Sequence, residues 1–269
     1  MIVFPPCKIN LGLQVVSKRP DGYHDIETCF YPIPLTDVLE VIPSSAFSFT
    51  VSGIELEGRP ADNLCVKAYE LLSRDYVIPP VSMHLHKVIP AGAGLGGGSS
   101  DAAHVLKLLN TVFELGISKP TLQQYASRLG SDCALFLHDS PMFGKGRGDL
   151  LSPAFIDLKG YYIILVKPGI NISTADAYRG ITPKQPAVRL ESVLESDIRK
   201  WKYILVNDFE TTVISKHPEI GTIKHTFYEQ GALYASMSGS GSTVYGIFEQ
   251  PVDLTQLFSS YFCWSGVLS

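Results

Sequence analysis

The sequence predicts a protein of mixed helices and strands, and three patterns support this prediction. Apolar residues alternate with other residues along positions 9–16, which is typical of a strand with one buried face. Apolar residues then recur at helical spacing over positions 102–113. The run Tyr161 to Val166 is apolar throughout and indicates a buried strand. At 269 residues the chain is long enough for one large domain or two smaller ones.

The first strand places two polar side chains on the side opposite its apolar row. Its apolar face consists of Ile9, Leu11, Leu13 and Val15. Because side chains alternate along a strand, Lys8 and Asn10 share the other face. We therefore expect a half-buried strand whose Lys8 ammonium reaches a cleft and not the core.

Further elements follow between residues 62 and 137. The patterns predict a helix over about 63–72 capped by Asp62 or Asn63, a strand through Val81, Met83 and Leu85, a helix that starts near Asp101, a second helix that stops at Gly130, and a strand or buried turn over Cys133 to Leu137.

The second half of the chain begins with a glycine-rich hairpin over Phe143 to Asp149. We place a domain boundary near residue 150, which gives domains 1–150 and 151–269. Beyond the strand at 161–166, helical patterns cover about 203–215 and 219–230. A Gly/Ser turn and a strand over Thr243 to Phe248 follow.

The composition disfavours a nucleic-acid or anionic-membrane role. Lys plus Arg number 22 against 26 for Asp plus Glu, so the formal charge is −4 and no long run of one sign favours nucleic acid or an anionic membrane. The five cysteines are scattered and form no C-x-x-C pair. The sequence has no secretory n-region and h-region and no apolar stretch of the roughly 20 residues that span a bilayer. We expect a cytoplasmic protein.

The most informative segment is the glycine loop P-A-G-A-G-L-G-G-G-S-S-D-A-A over residues 90–103. Glycine tolerates positive φ, so successive N–H groups can turn toward one point. Ser99 or Ser100 could cap the helix that follows, and the first helical turn would add its amides and the positive end of its dipole. The loop predicts a phosphate site.

Three common phosphate motifs do not account for this loop. Gly92, Gly94 and Gly97 satisfy G-x-G-x-x-G, but the parallel strand with an acidic end that a dinucleotide-binding unit needs is missing from Asn110 to Pro120. The Walker pattern fails because no lysine follows the glycines. The chain also lacks the H-R-D and D-F-G sequences of protein kinases.

The loop resembles the phosphate loop of the GHMP kinases, the family of galactokinase, homoserine kinase, mevalonate kinase and phosphomevalonate kinase. Four further motifs occur in the family's order: Lys8-Ile9-Asn10-Leu11, Asp21-Gly22-Tyr23-His24, Leu129-Gly130-Ser131-Asp132, and Ser238-Gly239-Ser240-Gly241-Ser242. Ser131 and Cys133-Ala134 depart from the alanine and the Val-Pro pair that are commonest beside the aspartate. The resemblance nevertheless spans nearly the whole chain.

This resemblance implies an α+β fold in two parts. The N-terminal part would be like the second domain of ribosomal protein S5 and carry the glycine loop, and a ferredoxin-like C-terminal part would complete a cleft. The triple-glycine loop is most similar to that of the members that phosphorylate the 2-hydroxyl of 4-diphosphocytidyl-2-C-methyl-D-erythritol with ATP, in the non-mevalonate isoprenoid route. We therefore expect a phosphotransferase with that cytidylyl substrate and no nucleic-acid partner.

The resemblance also implies roles for individual residues. Asp132 would be the catalytic base, and Lys8 would orient it and the substrate hydroxyl. Asn10, Tyr23, His24 and Tyr178 would bind the substrate, with Tyr23 and Tyr178 against the cytosine. The residues expected to bind ATP are Pro90, Ala91, Gly92, Ala93, Gly94, Leu95, Gly96, Gly97, Gly98, Ser99 and Ser100.

Three assignments stay open at this stage. Mg²⁺ is expected with ATP, and Ser99 or Ser100 could contribute an oxygen ligand, but no carboxylate cage is evident. Asn63 and Asp101 fall beside the expected nucleotide pocket, and Asp101 could equally complement the helix dipole. The Gly/Ser segment at 238–243 could be a flexible turn between a helix and a strand, or, by resemblance, could close over the phosphate loop.

Two alternative functions also remain. One is another GHMP kinase, of homoserine or mevalonate type, which would share the loop but not the Tyr23-His24 clamp. The other is a catalytically inactive sensor on the same fold. The presence of both Lys8 and Asp132 argues against a sensor, because a sensor needs no proton acceptor.

Overall fold

A computed structural model describes residues 1–268 and contains both strands and helices along the chain. The strands are β1 (Ile2–Val3), β2 (Pro6–Lys18), β3 (His24–Thr36), β4 (Val38–Pro43), β5 (Ser48–Gly53), β6 (Val81–Lys87), β7 (Met142–Lys145), β8 (Leu150–Pro153), β9 (Tyr162–Lys167), β10 (Tyr234–Met237), β11 (Val244–Phe248) and β12 (Phe262–Val267). The helices are α1 (Leu64–Ser73), α2 (Gly97–Val112), α3 (Lys119–Leu129), α4 (Thr174–Tyr178), α5 (Leu190–Leu194), α6 (Ile198–Ile204), α7 (Phe209–Lys216) and α8 (Pro218–Glu229).

The chain divides into two compact units that are discontinuous in sequence. The first unit comprises residues 1–7, 35–91 and 96–139, and the second comprises 8–34, 92–95 and 140–269. The glycine loop thus contributes to both units. A single boundary near residue 150 was expected from the sequence, and it stays a prediction.

The first unit contains a four-stranded sheet in the order β1-β4-β6-β5, in which only the β5–β6 pair is parallel. Helices α1 and α2 pack on each other, and α2 also packs on β4. The predicted apolar stripe is buried from Ala102 to Leu109, with Leu106 and Leu109 completely covered, whereas Val112 and Phe113 are half-buried. Each such leucine contributes about 2 kcal/mol of transfer free energy to folding.

The second unit contains two sheets, β2-β3-β7-β8 and β10-β11-β9-β12, and the helices α4 to α8. The second sheet is antiparallel, with β9 between β11 and β12. One apolar core joins the two sheets and the helices through residues such as Val15, Val166, Phe209 and Phe227. This core holds β2, the strand that bears Lys8, against the C-terminal part of the chain.

The helix predicted over about 203–215 begins only at Phe209, because α6 ends at Ile204 and residues 205–208 are not helical. Most of the other predicted elements are confirmed, and four need correction. The first strand is buried on both faces from Cys7 to Leu13, because its polar face is also covered: a Cβ on Gly12 would lie 2.6 Å from a Leu205 methyl carbon. The run Cys133 to Leu137 is a short 3₁₀ helix and not a strand. The segment 238–243 joins two strands, β10 and β11, and not a helix and a strand.

The fourth correction concerns the start of α2. The helix begins at Gly97, four residues before the predicted start, and Gly96 is its N-cap with φ +72°. Neither Ser99 nor Ser100 caps it, because both already lie inside the first turns. The N-cap prediction at the preceding helix is confirmed for Asn63, whose side chain accepts a hydrogen bond from the Cys65 N–H at 2.9 Å.

Candidate active site

The glycine loop makes a sharp turn into the N-terminus of α2. Gly92, Gly94 and Gly96 have positive φ angles of +60°, +75° and +72°, whereas Gly97 and Gly98 are already helical. The first N–H groups of a helix have no intrahelical acceptor, and they carry the positive end of the helix dipole. The start of α2 is therefore suited to bind a phosphate group.

The glycines of this loop serve two different purposes. At Gly94 an added Cβ would lie 2.0 Å from the Ser238 carbonyl oxygen, and at Gly97 it would lie 2.8 Å from a methyl carbon of Ile89. At Gly92 and Gly98, by contrast, no atom lies within 4 Å of that position. Two glycines therefore allow close packing, and the other two leave open space beside the backbone.

The second glycine-serine segment lies directly against the first in the second unit. The Ser238 hydroxyl donates a hydrogen bond to the Gly94 carbonyl oxygen at 2.8 Å, and the Thr243 N–H donates to the Ala93 carbonyl oxygen at 3.2 Å. The segment is held by these bonds to residues 93 and 94. The structure thus agrees with the expected contact to the glycine loop and not with a flexible linker.

Lys8 lies in β2 and is almost fully buried, with 4% of its surface exposed. Its ammonium donates hydrogen bonds to the Asn10 amide oxygen at 2.6 Å and to the Gly94 carbonyl oxygen at 3.0 Å. It also lies 5.4 Å from the centre of the Phe30 ring. The structure therefore brings Lys8 together with the glycine loop through Gly94.

Asn10 connects Lys8 to the neighbouring strand. Its amide nitrogen donates to the Thr28 hydroxyl at 2.9 Å, and that hydroxyl donates to the Gly12 carbonyl oxygen at 2.6 Å. Both ends of the Asn10 amide are thus engaged within the protein, one of them by Lys8. The arrangement orients the lysine; a substrate contact of Asn10 stays a prediction.

Asp132 lies in the first unit, between the end of α3 and the 3₁₀ helix Cys133–Leu137, and it is partly buried. Helix α3 ends at Leu129, and Gly130 follows in an extended conformation. The adjacent Cys133 is buried, which raises the pKa of its thiol to about 11, although a hydrogen bond with the Ser99 side chain acts in the opposite direction. The 3₁₀ helix that directly follows Asp132 packs on α2.

The residues expected to hold a nucleobase lie together in the second unit. The rings of His24 and Tyr178 are stacked, with centroids 4.7 Å apart and planes inclined by 13°. Tyr178 also meets the Phe209 ring edge to face at 4.8 Å. Tyr23 lies in the turn before β3 with 57% of its surface exposed, and the Arg147 guanidinium lies 5.0 Å from its ring centre.

A buried ion cluster beneath α2 was not predicted from the sequence. Lys87 at the end of β6 pairs with Asp37 and, at 2.9 Å, with Asp101, and all three side chains are at most 3% exposed. The second Asp37 oxygen accepts the N–H groups of Val88 and Ile89 at 2.6 and 2.9 Å. Asp101 is therefore part of an ion cluster. The sequence suggested a place beside the nucleotide pocket or a charge that complements the helix dipole, and neither suggestion describes this ion pair.

The pKa values of Asp101 and Lys87 are both raised in this cluster. Burial, helped by the charge of Asp37, raises the pKa of Asp101 to about 7, although Lys87 acts in the opposite direction. Burial would lower the pKa of Lys87, but the two carboxylates outweigh it and the pKa is raised. The sequence offered one sign of this cluster: Lys87 continues the alternation of Val81, Met83 and Leu85 in β6, which predicts that its side chain is buried.

Comparison with known proteins defines the class of protein first. The chain resembles a solved homoserine kinase from Cytophaga hutchinsonii at a TM-score of 0.72 and 17% identity, over 100% of this chain and 94% of that chain. At this identity the likeness shows the fold alone. A family model described as GHMP kinases N terminal domain matches residues 63–140, and one described as GHMP kinases C terminal matches residues 190–261.

More similar relatives establish the family. The 4-diphosphocytidyl-2-C-methyl-D-erythritol kinase of Bacteroides thetaiotaomicron is 49% identical over 274 residues, which cover 100% of both chains. The kinase of the same name from Cytophaga hutchinsonii is 52% identical over 249 residues, 92% of each chain. A crystal structure of 4-(cytidine 5'-diphospho)-2C-methyl-D-erythritol kinase has a TM-score of 0.85 at 31% identity, over 99% of this chain and 98% of that one. The chain belongs to the GHMP kinase family, and the predicted α+β fold is confirmed.

Among residues 1–268, none of the helices combines the length and the apolar composition that crossing a bilayer requires.

Proposed function

We propose that this chain transfers the γ-phosphoryl group of ATP to the 2-hydroxyl of 4-diphosphocytidyl-2-C-methyl-D-erythritol, a step of the non-mevalonate isoprenoid route. The observation that carries the proposal is sequence identity to proteins named 4-diphosphocytidyl-2-C-methyl-D-erythritol kinase. About half of all residues are identical, over the full length of this chain and of each relative. The loop at the start of α2, Lys8 and the aromatic residues around His24 support it independently.

The triphosphate would bind along the glycine loop. The unpaired N–H groups at the start of α2 would stabilise phosphate oxygens, and the open space beside Gly92 and Gly98 would let the phosphates approach the backbone. Donors that are already oriented before the reaction stabilise the charge of the transition state without further rearrangement.

Asp132 and Lys8 would act on the substrate hydroxyl. The proton of the 2-hydroxyl passes to the Asp132 carboxylate while its oxygen bonds to the γ-phosphorus, and the bond from that phosphorus to the β,γ-bridging oxygen breaks, which releases ADP. The Lys8 ammonium would orient the hydroxyl and the carboxylate. The bonds from Lys8 to Asn10 and Gly94 support this role, because they restrict an otherwise flexible side chain to one geometry.

The cytosine would bind beside Tyr23, His24 and Tyr178. The His24–Tyr178 stack is too close to admit a base between these two rings. Tyr23 has an exposed ring, and the Arg147 guanidinium lies over it. We expect the base to stack on the opposite face of Tyr23, where one base–aromatic contact contributes about 1–3 kcal/mol.

Mg²⁺ would accompany ATP and neutralise charge on the phosphates. Mg²⁺ prefers oxygen ligands and retains several waters, and it is held mainly by substrate phosphates in kinases. Within residues 1–268 no group of three or more His, Cys, Asp or Glu side chains could hold a metal ion. The Ser100 hydroxyl is buried in the first turns of α2 and makes no hydrogen bond within the described residues, so it fits the role of an oxygen ligand at this position.

The proposal is tested by ADP release with three alcohols in parallel: the cytidylyl methylerythritol substrate, homoserine and mevalonate. We expect turnover with the first alone. Turnover with homoserine or mevalonate would indicate another GHMP kinase, and binding of ATP without turnover of any alcohol would indicate an inactive sensor.

The proposed base is tested by Asp132→Asn. The amide cannot accept the proton, so kcat should fall by about 10²–10⁴-fold while ATP affinity, measured by calorimetry, stays within about threefold. Near-normal turnover of the purified variant would contradict the assignment of Asp132.

The proposed cytosine contact is tested by Tyr23→Ala. Loss of the stacking face should raise KM for the cytidylyl substrate by about 10-fold or more and leave KM for ATP nearly unchanged. Equal changes in both KM values would instead indicate a role in folding.

A further inference from the structure

Asn207 is a buried side chain in the short connection between α6 and α7, and no motif in the sequence marked it. It is 3% exposed, and its amide nitrogen donates hydrogen bonds to the carbonyl oxygens of Met237 and Gly239 at 2.8 and 2.9 Å. Its amide oxygen accepts the Phe209 N–H at 3.0 Å. Because two partners are carbonyls and one is an N–H group, the orientation of the amide is unambiguous.

The two carbonyls that Asn207 binds flank Ser238. The hydroxyl of Ser238 donates to the carbonyl oxygen of Gly94, and the Lys8 ammonium donates to that same oxygen at 3.0 Å. One carbonyl in the glycine loop is therefore shared by Ser238 and Lys8. A displacement of residues 237–239 would change the position of an acceptor that orients Lys8.

The same connection also holds the strand that bears Lys8. The Leu13 N–H donates to the Val206 carbonyl oxygen at 2.9 Å, and the Asp208 N–H donates to the Leu13 carbonyl oxygen at 2.8 Å. The Asp208 carboxylate accepts the Val15 N–H at 2.7 Å. Residues 206–208 are thus bonded to β2 on one side and to the segment around Ser238 on the other.

We propose that Asn207 is a positioning residue for phosphoryl transfer: it holds residues 237–239 against the glycine loop and thereby determines the geometry of Lys8. This inference rests on the proposed function, which assigns Lys8 to the reaction. The proposed route runs from the Asn207 amide through Ser238 to the Gly94 carbonyl oxygen. A displacement of about 1 Å in a group that orients a reaction can reduce its rate about 10²-fold.

The first experiment compares Asn207→Ala with Asn207→Asp in steady-state kinetics. The alanine variant should lower kcat by about 30-fold and change both KM values by less than about threefold. The aspartate keeps an acceptor for the Phe209 N–H but presents oxygen to two carbonyls, so it should be at least as slow. A kcat of the alanine variant within threefold of the wild type, or recovery of kcat in the aspartate variant, would overturn the proposal.

A matched control removes a similar asparagine from another place. The Asn110 amide bonds the N–H and the carbonyl oxygen of Ile117 at 2.9 and 3.0 Å in the first unit. Asn110→Ala should lower stability to a similar extent, because it also loses hydrogen bonds to backbone groups, but should leave kcat unchanged. An equal loss of kcat in both variants would mean that Asn207 has only a structural role.

A double-mutant cycle with Ser238→Ala tests the route of the effect. Ser238→Ala should lower kcat by about 10-fold, and adding Asn207→Ala should lower it much less than it does alone, because both act through the Gly94 carbonyl. Independent, multiplicative effects would contradict the proposed route. Ser238→Ala also keeps the test available if Asn207→Ala fails to fold.

A chemical measurement separates this inference from the proposed reaction. The rate at which an acylating reagent modifies Lys8 is measured by peptide mass spectrometry without any substrate. Asn207→Ala should increase this rate several-fold, because it displaces the Gly94 carbonyl oxygen that accepts a hydrogen bond from the Lys8 ammonium. Asn110→Ala should not, because it leaves that carbonyl in place. An unchanged rate would overturn the inference even if the wild-type protein phosphorylates the cytidylyl substrate, and an increased rate would support it even if that activity is absent.

Discussion

The glycine loop at residues 90–103 and the glycine-serine segment at residues 238–243 look alike in sequence but differ in their surroundings. In the first, Gly92 and Gly98 have no neighbouring atom where a Cβ would lie. In the second, a Cβ on Gly239 would lie 3.3 Å from the Asn10 amide oxygen, and one on Gly241 would lie 2.7 Å from the Met237 sulfur. The first segment thus has open backbone that a ligand can approach, whereas the glycines of the second permit close packing.

The two segments also rest on different supports. In the first segment, Gly97 is the first helical residue; it packs on Ile89 and lies next to the ammonium of Lys87, which belongs to a buried ion cluster. The second segment is held by the neutral amide of Asn207. Glycine content alone therefore does not identify a phosphate site; open space beside the backbone and a helix N-terminus are also needed.

Substitution of Gly94 should have the largest effect on stability. In Gly94→Ala the Cβ would meet the Ser238 carbonyl oxygen at 2.0 Å, and the residue has a φ of +75° that alanine rarely adopts. We expect the free energy of unfolding to fall by about 3 kcal/mol or more. The measurement is urea denaturation followed by circular dichroism.

Gly160→Ala is the matched control for Gly94→Ala. Gly160 has a similar φ of +87°, but no atom lies within 4 Å of its Cβ position. The free energy of unfolding of this variant should fall by only about 1 kcal/mol, because only backbone strain is introduced. Equal losses in the two variants would mean that the contact between the two glycine-rich segments does not contribute.

Gly98→Ala should separate ligand binding from stability. Alanine favours a helix by about 0.5–1 kcal/mol over glycine, and no neighbour opposes a Cβ at this position, so the protein should become slightly more stable. The same methyl group would occupy space that the phosphates need, so KM for ATP should rise by about 10-fold while KM for the alcohol changes little. An unchanged KM for ATP would remove Gly98 from the phosphate site.

The ion cluster beneath the first segment should give a smaller, pH-dependent effect. Asp101 has a pKa of about 7 in the folded protein, against 3.8 for an ordinary aspartate. Its raised pKa therefore stabilises the fold fully below about pH 4, and that contribution is lost as pH rises to about 7. Relative to Asp101→Asn, the wild type should lose free energy of unfolding between pH 5 and pH 7 and show no further change above pH 8.

Asp176→Asn provides the opposite case. A hydrogen bond from Ser173, helped by the charge of Arg179, lowers the pKa of this exposed carboxyl. Its contribution is therefore present above about pH 4 and lost only at lower pH, so the difference from wild type should be flat between pH 5 and pH 8. A similar pH dependence in both variants would argue against a special environment for Asp101.

Local patterns predicted many of the elements, because periodicity reports which side of an element is buried. The alternation of Val81, Met83 and Leu85 predicted β6, and the stripe from Ala102 to Val112 predicted most of α2. The start of α2 was missed because Gly97 and Gly98 have low helix propensity. The close packing of Gly97 on Ile89, which no local pattern indicates, accompanies the earlier start.

The sequence by itself determined the family and the candidate residues, because the order and spacing of the motifs from Lys8 to Ser242 can be read directly from the chain without the fold. Only the tertiary structure brought Asp37 and Asp101 to Lys87, and Asn207 to the segment around Ser238. In the ion cluster, Lys87 lies 14 positions from Asp101 and 50 from Asp37 in the sequence. Asn207 lies 30 positions from Met237. A single buried polar residue has no periodicity, and its partner is determined by how distant segments pack.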